Sequence, residues 1–321
     1  LDSRVVPLEQ IYDEWNDGIA SPWAIERFLA YAAVSWTRRP SAIVLAGIGT
    51  YDYKDYLGLG GNLIPPLMVR TGDGLFAADS RFVPAAGGGG MVIGRLPARS
   101  AQELSGMIDK LIAYESSPAG TWKRQALFLA DGPDTGGQFD WQSERAAALV
   151  PQPLNPTRLY VSAATPAEQV RRTLLGDLES GAFLLNYIGH AGLDRLSAAS
   201  IFTNQDAAAL GNAPRLPVVV TASCIVGRFE IPGFTSLAVA LMLNPAGGAA
   251  AVWAPSGLAW STQSTALGNG LLGQLFASQT STMGGAVEGG VQRFRTAGGA
   301  SDTLLTYNLF GDPALLLQKP N

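Results

Sequence analysis

A layered α/β fold on mainly parallel strands is the architecture this sequence predicts. Short all-apolar runs at 42–47, 126–130, Leu184–Ile188 and Val218–Ala222 read as strands buried on both faces. Segments with helical periodicity lie between them, so strand and helix alternate along the whole length. The 38 glycines and 20 prolines supply the turns that this alternation needs.

Taken in order, residues 5–16 form a short lead-in. Ser21 is the expected N-cap, and Pro22 the first-turn residue, of a helix whose Ile25, Phe28, Leu29 and Ala32 share a face. The strand at 42–47 opens into a polar and aromatic loop carrying Tyr51, Tyr53 and Tyr56. Residues 63–69 read as an extended edge segment and 72–86 as loop. Gly87 to Gly90 read as a flexible tether, because no Gly-Lys-Ser/Thr follows to make a phosphate loop. A strand at 91–97 precedes a helix opened by a Ser100/Glu103 capping box, with Leu104, Met107, Ile108, Leu111 and Ile112 expected inward. The second half continues with strands at 158–162, 184–188, 218–222 and 249–253. Helices are expected near 167–178, 200–210, 235–243, 264–277 and 285–295. Strand-like runs at 305–310 and 315–317 close the chain around Gly311-Asp312-Pro313.

Composition bounds what such a fold does. With 321 residues, 47% of them hydrophobic and 15% charged, a large core is within reach. A net charge of −4 argues against nucleic acid as the main partner, since phosphate binding wants a basic face. No run of eighteen apolar residues occurs, so no membrane span is expected. One cysteine rules out an internal disulfide, and one cysteine with one histidine rules out a Cys/His zinc centre. The chain begins at Leu1 with neither a methionine nor a signal pattern and reads as part of a longer multidomain protein.

The same two unique residues carry the functional signal. Tyr187-Ile188-Gly189-His190 ends one buried run, and Ala222-Ser223-Cys224 ends another. Side chains at the carboxyl ends of neighbouring parallel strands share one edge, where open α/β sheets place their sites. A thiol beside an imidazole is the minimal apparatus of a cysteine nucleophile. Histidine ahead of the nucleophile excludes the α/β-hydrolase order, and no Gly-x-Ser-x-Gly is present.

Tyr187-Ile188-Gly189-His190 followed by Cys224-Ile225-Val226-Gly227-Arg228-Phe229 resembles the gingipain family of cysteine peptidases, peptidase family C25 of the caspase-like clan. Asp13-Glu14 with Gly18, Tyr51-Asp52-Tyr53, Ala78-Asp79-Ser80-Arg81-Phe82, Ile93-Gly94-Arg95-Leu96-Pro97 and Phe310-Gly311-Asp312-Pro313 are similar to family motifs, notably of members associated with type IX secretion. The resemblance implies a caspase/gingipain-like α-β-α sandwich of two subdomains, 1–150 and a catalytic 151–321. It implies Cys224 as nucleophile, His190 as general acid/base and Asp79 as the acid that orients the histidine. Gly189, Ala191 and the Cys224 amide would surround the oxyanion, and Trp260 with Ser223 would line the substrate pocket. A protein or peptide substrate and a place outside the cell or on its envelope follow from the same resemblance. No cofactor is required for the chemistry, and a structural calcium ion is admitted. Two departures stand out: Ala191 replaces the family's glycine after the histidine, and no tryptophan follows in 193–203. They leave open an alternative, a binding or assembly module that keeps the fold with weak or no turnover.

Overall fold

The computed structural model describes residues 2–84 and 89–320. The part of the tether reading that rests on residues 87–88 lies outside them.

The strands are β1 (Ala42–Ala46), β2 (Met68–Thr71), β3 (Gly74–Ala77), β4 (Val92–Leu96), β5 (Gln125–Ala130), β6 (Asn155–Tyr160), β7 (Leu184–Ile188), β8 (Arg195–Leu196), β9 (Phe202–Thr203), β10 (Val218–Ala222), β11 (Ala251–Pro255) and β12 (Tyr307–Phe310). The helices are α1 (Leu8–Asn16), α2 (Pro22–Ser35), α3 (Ala101–Glu115), α4 (Phe139–Ala147), α5 (Ala167–Ser180), α6 (Asn204–Ala209), α7 (Leu237–Leu243), α8 (Ser261–Phe276), α9 (Met283–Thr296) and α10 (Ser301–Thr306).

Eight strands form one sheet in the order β1-β4-β12-β11-β10-β7-β5-β6. All neighbours are parallel except β11 and β12, so the run of strand directions reverses once. The carboxyl ends of β5, β7, β10 and β11 and the start of β12 therefore lie at one edge. A division at residue 150 falls between β5 and β6, which pair along their whole length.

The apolar strands explain the sheet's depth: every residue of β7, β10 and β11 is buried. Helices flank the sheet. Helices α4 and α8 pack on β5, β7 and β10, α9 on β4, and α7, with α3 and α6 beside it, on β11 and β12. A second, smaller core under α1 and α2 joins Ile25, Leu29, Leu45, Phe82 and Ile93.

Several expected elements are placed differently. The lead-in is helical from Leu8. Residues 63–67 are not a strand. The strand starts at Met68 and turns back through Gly72-Asp73 into β3, an antiparallel hairpin. In α3 the expected inward residues Ile108 and Ile112 are exposed, while Lys110 and Tyr114 are buried with Met107 and Leu111. The cause is a set of carbonyls. Lys110 Nζ donates to the Leu241, Met242, Asn244 and Gly247 carbonyls at 2.7–3.2 Å, satisfying acceptors at the end of α7. Helix α6 is shorter than expected, and α4 is an additional helix.

Candidate active site

The parallel register of β7 and β10 pairs Ile188 with Ala222, and the Gly189 amide extends it by donating to the Ala222 carbonyl at 3.3 Å. His190 and Cys224 each follow two residues beyond that last pair. They leave the sheet from adjoining strands at one edge.

Local chemistry dictates both turns. Gly189 has φ +156°, and a Cβ there would lie 2.5 Å from the Asp131 Cβ and 2.6 Å from the Tyr187 hydroxyl. Only glycine fits. The His190 carbonyl then accepts from the Tyr187 hydroxyl and from the Ser197 amide. After Cys224, Ile225 takes the left-handed φ of 44°, uncommon for a β-branched residue. Across it the Val226 amide donates to the Cys224 carbonyl at 2.6 Å, a three-residue turn. The Ile225 and Gly227 amides donate to the Gly257 and Pro255 carbonyls, tying this turn to the chain leaving β11.

The imidazole is held from three sides. Its edge meets the Phe139 ring with centroids 5.2 Å apart. Gly136 approaches so closely that a Cβ would sit 2.8 Å from Cε1. Nε2 lies 3.0 Å from Asp134 Oδ2. Asp134 sits in the turn after β5, where the Gly136 amide donates to Oδ1 at 2.6 Å. That amide, together with the His190 ring, holds the Asp134 carboxyl below its ordinary range. Both side chains are about half exposed, so the pair is solvated and accessible. With Nε2–H donating to Asp134, Nδ1 is the basic nitrogen of the neutral ring.

The thiol is half-buried and donates to the Ala259 carbonyl at 3.7 Å. Thiol and imidazole do not hydrogen-bond each other in this state. Trp260, next to Ala259, is exposed, and the Ser261 hydroxyl donates to the Gly136 carbonyl. The Trp260 segment is thus tied to the loop that carries Asp134. Ser223 is buried beside Cys224, and its hydroxyl has no partner among the described residues.

The structure does not bring Asp79 to the histidine. Asp79 lies in a 3-10 turn, buried, and receives Arg95 Nε and Nη2 at 2.7 and 2.8 Å. The acid beside His190 is Asp134, which the sequence reading passed over. A signal for it existed: Asp131-Gly132-Pro133-Asp134 is a turn at a third strand end. The amides expected around an oxyanion differ in what they already bind. The Gly189 amide is spent on Ala222, whereas among the described residues the Ala191 and Cys224 amides donate to no protein acceptor. Among the described residues no three His, Cys, Asp or Glu side chains gather to hold a metal ion, so the admitted calcium has no carboxylate cluster there. Among the described residues no helix is long and apolar enough to cross a membrane.

The sequence model of peptidase family C25 matches residues 1–318. Two solved structures share the fold. The complex of the pro- and mature domains of RgpB from Porphyromonas gingivalis superposes with a TM-score of 0.75 at 22% identity, covering 95% of this chain and 72% of that one. The Arg-specific cysteine proteinase gingipain R (RgpB) does so with a TM-score of 0.72 at 23% identity, covering 97% and 75%. A third structure, described only as a protease, gives a TM-score of 0.71 at 15% identity, covering 94% and 70%. No curated protein matches the chain in sequence.

Proposed function

The chain belongs to peptidase family C25, and from that premise we propose that it is a cysteine endopeptidase with Cys224 as nucleophile and His190 as general acid/base. The observation that carries this is the placement of the only histidine and the only cysteine two residues beyond a shared strand-end pair.

The chemistry follows from the groups at that edge. A free thiol has a pKa near ~8.5, so little is thiolate at neutral pH without a base. The basic nitrogen of His190 takes the thiol proton as sulfur attacks the scissile carbonyl. The carbonyl π electrons move onto oxygen, and the unengaged Cys224 and Ala191 amides are the donors available to that oxyanion. The imidazolium, steadied by Asp134, returns its proton to the departing amine as the C–N bond breaks. Water, deprotonated by the same ring, then hydrolyses the thioester and restores the thiol. Asp134 stays ionised throughout and fixes ring orientation and tautomer. The exposed Trp260 offers a flat apolar wall to the substrate side chain.

Protein or peptide is the substrate class, and action outside the cytoplasm within a longer parent chain belongs to the same proposal. The test is cleavage of unfolded casein and a mixed peptide library by the parent and by Cys224→Ala. The parent should cleave and the variant should not. Cleavage that persists in pure variant overturns the assignment. A parent that neither cleaves nor alkylates at Cys224 faster than its urea-unfolded form is a binding module instead.

A further inference from the structure

The ladder between β10 and β11 stops early. Its register runs from Val218–Ala251 to Val220–Trp253, whereas β10 stays paired with β7 through Ala222. Beyond Val220 the side of β10 that faces β11 has no strand to pair with. A buried carbonyl left without a donor is costly. The donor that reaches Thr221 O is a side chain: the Tyr307 hydroxyl, at 2.9 Å. Tyr307 comes from β12, one strand beyond β11, where it pairs with Pro255. Its ring is buried and lies against Trp253, centroids 5.6 Å apart. The Ser223 amide and the Ser264 hydroxyl also border the phenol.

Two residues, Ala222 and Ser223, separate Thr221 from Cys224. On one side this stretch is fixed by the last β7 pairs. On the other, Tyr307 takes the place of the missing strand. We infer that Tyr307 is a positioning residue for the nucleophile: its hydroxyl replaces the next ladder donor on β10 and so sets where Cys224 leaves the sheet. The sheet can then part at its carboxyl end, opening a crevice beside the thiol, without freeing the backbone that carries it. This rests on the peptidase reading for its consequence in turnover, but not for its consequence in thiol reactivity.

The experiment compares Tyr307→Phe with the parent in two measurements. One is the pH profile of iodoacetamide alkylation at Cys224, and the other is kcat and KM for peptide cleavage. Tyr114→Phe, whose hydroxyl accepts from the Gln318 amide away from the site, is the control for loss of a buried phenol. Tyr307→Phe should slow alkylation and lower kcat by roughly fivefold with KM unchanged, the loss of one neutral hydrogen bond at a reacting backbone. Tyr114→Phe should move neither. Replacing Tyr307 by p-aminophenylalanine, which keeps a donor at that place, should restore both. Parent-like alkylation in Tyr307→Phe, or an equal fall in the p-aminophenylalanine protein, overturns the inference. If the parent cleaves no peptide, the peptidase reading fails while the alkylation comparison still decides the role of Tyr307. Should Tyr307→Phe not fold, 3-fluorotyrosine at that position, a stronger donor of nearly the same shape, takes its place. A changed alkylation rate supports the inference, and an unchanged one overturns it.

Discussion

Asp79 and Arg95 meet fork to fork, with Oδ2 on Nε at 2.7 Å and Oδ1 on Nη2 at 2.8 Å, and both side chains are out of water. The guanidinium has further work. Nη1 donates to the Gly47 and Ile64 carbonyls at 2.7 and 3.0 Å, and its carbon lies 4.6 Å over the Phe229 ring. Phe229 belongs to the segment that follows Cys224. The pair therefore joins β4, the chain after β1 and the chain after Cys224. A buried ion pair adds little over an apolar isostere, but removing one partner leaves an uncompensated charge. Asp79→Asn should cost about 3–5 kcal/mol in urea unfolding, with an unchanged m-value. The folded fraction should keep the parent's alkylation profile. A loss below about 1 kcal/mol, or a selective shift of that profile, would contradict this structural role.

Glu230 lies in the same segment and is fully buried, with Oε1 accepting from the Ala77 amide and the Arg228 guanidinium alongside at 3.3 Å. Burial pushes its carboxyl up from 4.5 to about 7, against the smaller opposing effects of nearby amides and Arg228. A carboxyl with a raised folded pKa binds more protons folded than unfolded between those values. Its contribution is complete below about pH 4.5 and is lost as pH rises through about 7. The parent should therefore lose on the order of 3 kcal/mol relative to Glu230→Gln across that window. Parallel stability–pH curves for the two proteins in chemical denaturation would refute the shift.

Among the described residues Lys110 has no carboxylate partner. Its four acceptors are carbonyls, three of them from the end of α7 and its C-cap. Lys110→Met keeps the length and apolar stem of the side chain but leaves those carbonyls without their donor. About 2–4 kcal/mol should be lost, as more than one buried acceptor goes unpaired. Hydrogen exchange should show the faster opening concentrated at 241–248. Uniform acceleration across the sheet would point to a general packing defect instead.

What was legible in the sequence was whatever local pattern decides. The buried runs Leu184–Ile188 and Val218–Ala222 announce parallel strands, and a glycine after one of them announces the turn that frees His190. Ser21 and Ser100 do cap their helices, accepting from the Trp23 and Glu103 amides. What stayed hidden depends on who sits beside whom. Asp134 serves His190 because β5 is the strand next to β7, a non-local pairing that no periodicity in 125–140 reveals. Asp79 is close to a motif in sequence, yet its partner is the arginine of the next strand. Lys110 reads as the polar face of α3 until the carbonyls ending α7 arrive to receive it. The hairpin that turns at Gly72-Asp73 reads as loop in sequence, since its flanking strands are only four residues each.

Asp134 carries the last prediction because it separates orientation from chemistry. Its carboxylate accepts from His190 Nε2 at 3.0 Å while the Gly136 amide holds its other oxygen. Asp134→Asn preserves shape, and the amide can turn its oxygen toward the ring or its NH2. Turned with the NH2 inward, it would favour the tautomer protonated on Nδ1, the wrong one for taking the thiol proton. The negative charge that steadies the imidazolium is lost in either case. The expected outcome is a fall of roughly tenfold or more in kcat with KM little changed, since the acid touches the ring and not the substrate. The sign with pH follows from the depressed carboxyl. In the parent the assisting charge persists into acid and is lost as pH falls through that lowered pKa, whereas in Asp134→Asn the acid limb has no such component. An Asp79→Asn protein with a larger kcat defect than Asp134→Asn, both measured on folded material, would return the orienting role to Asp79.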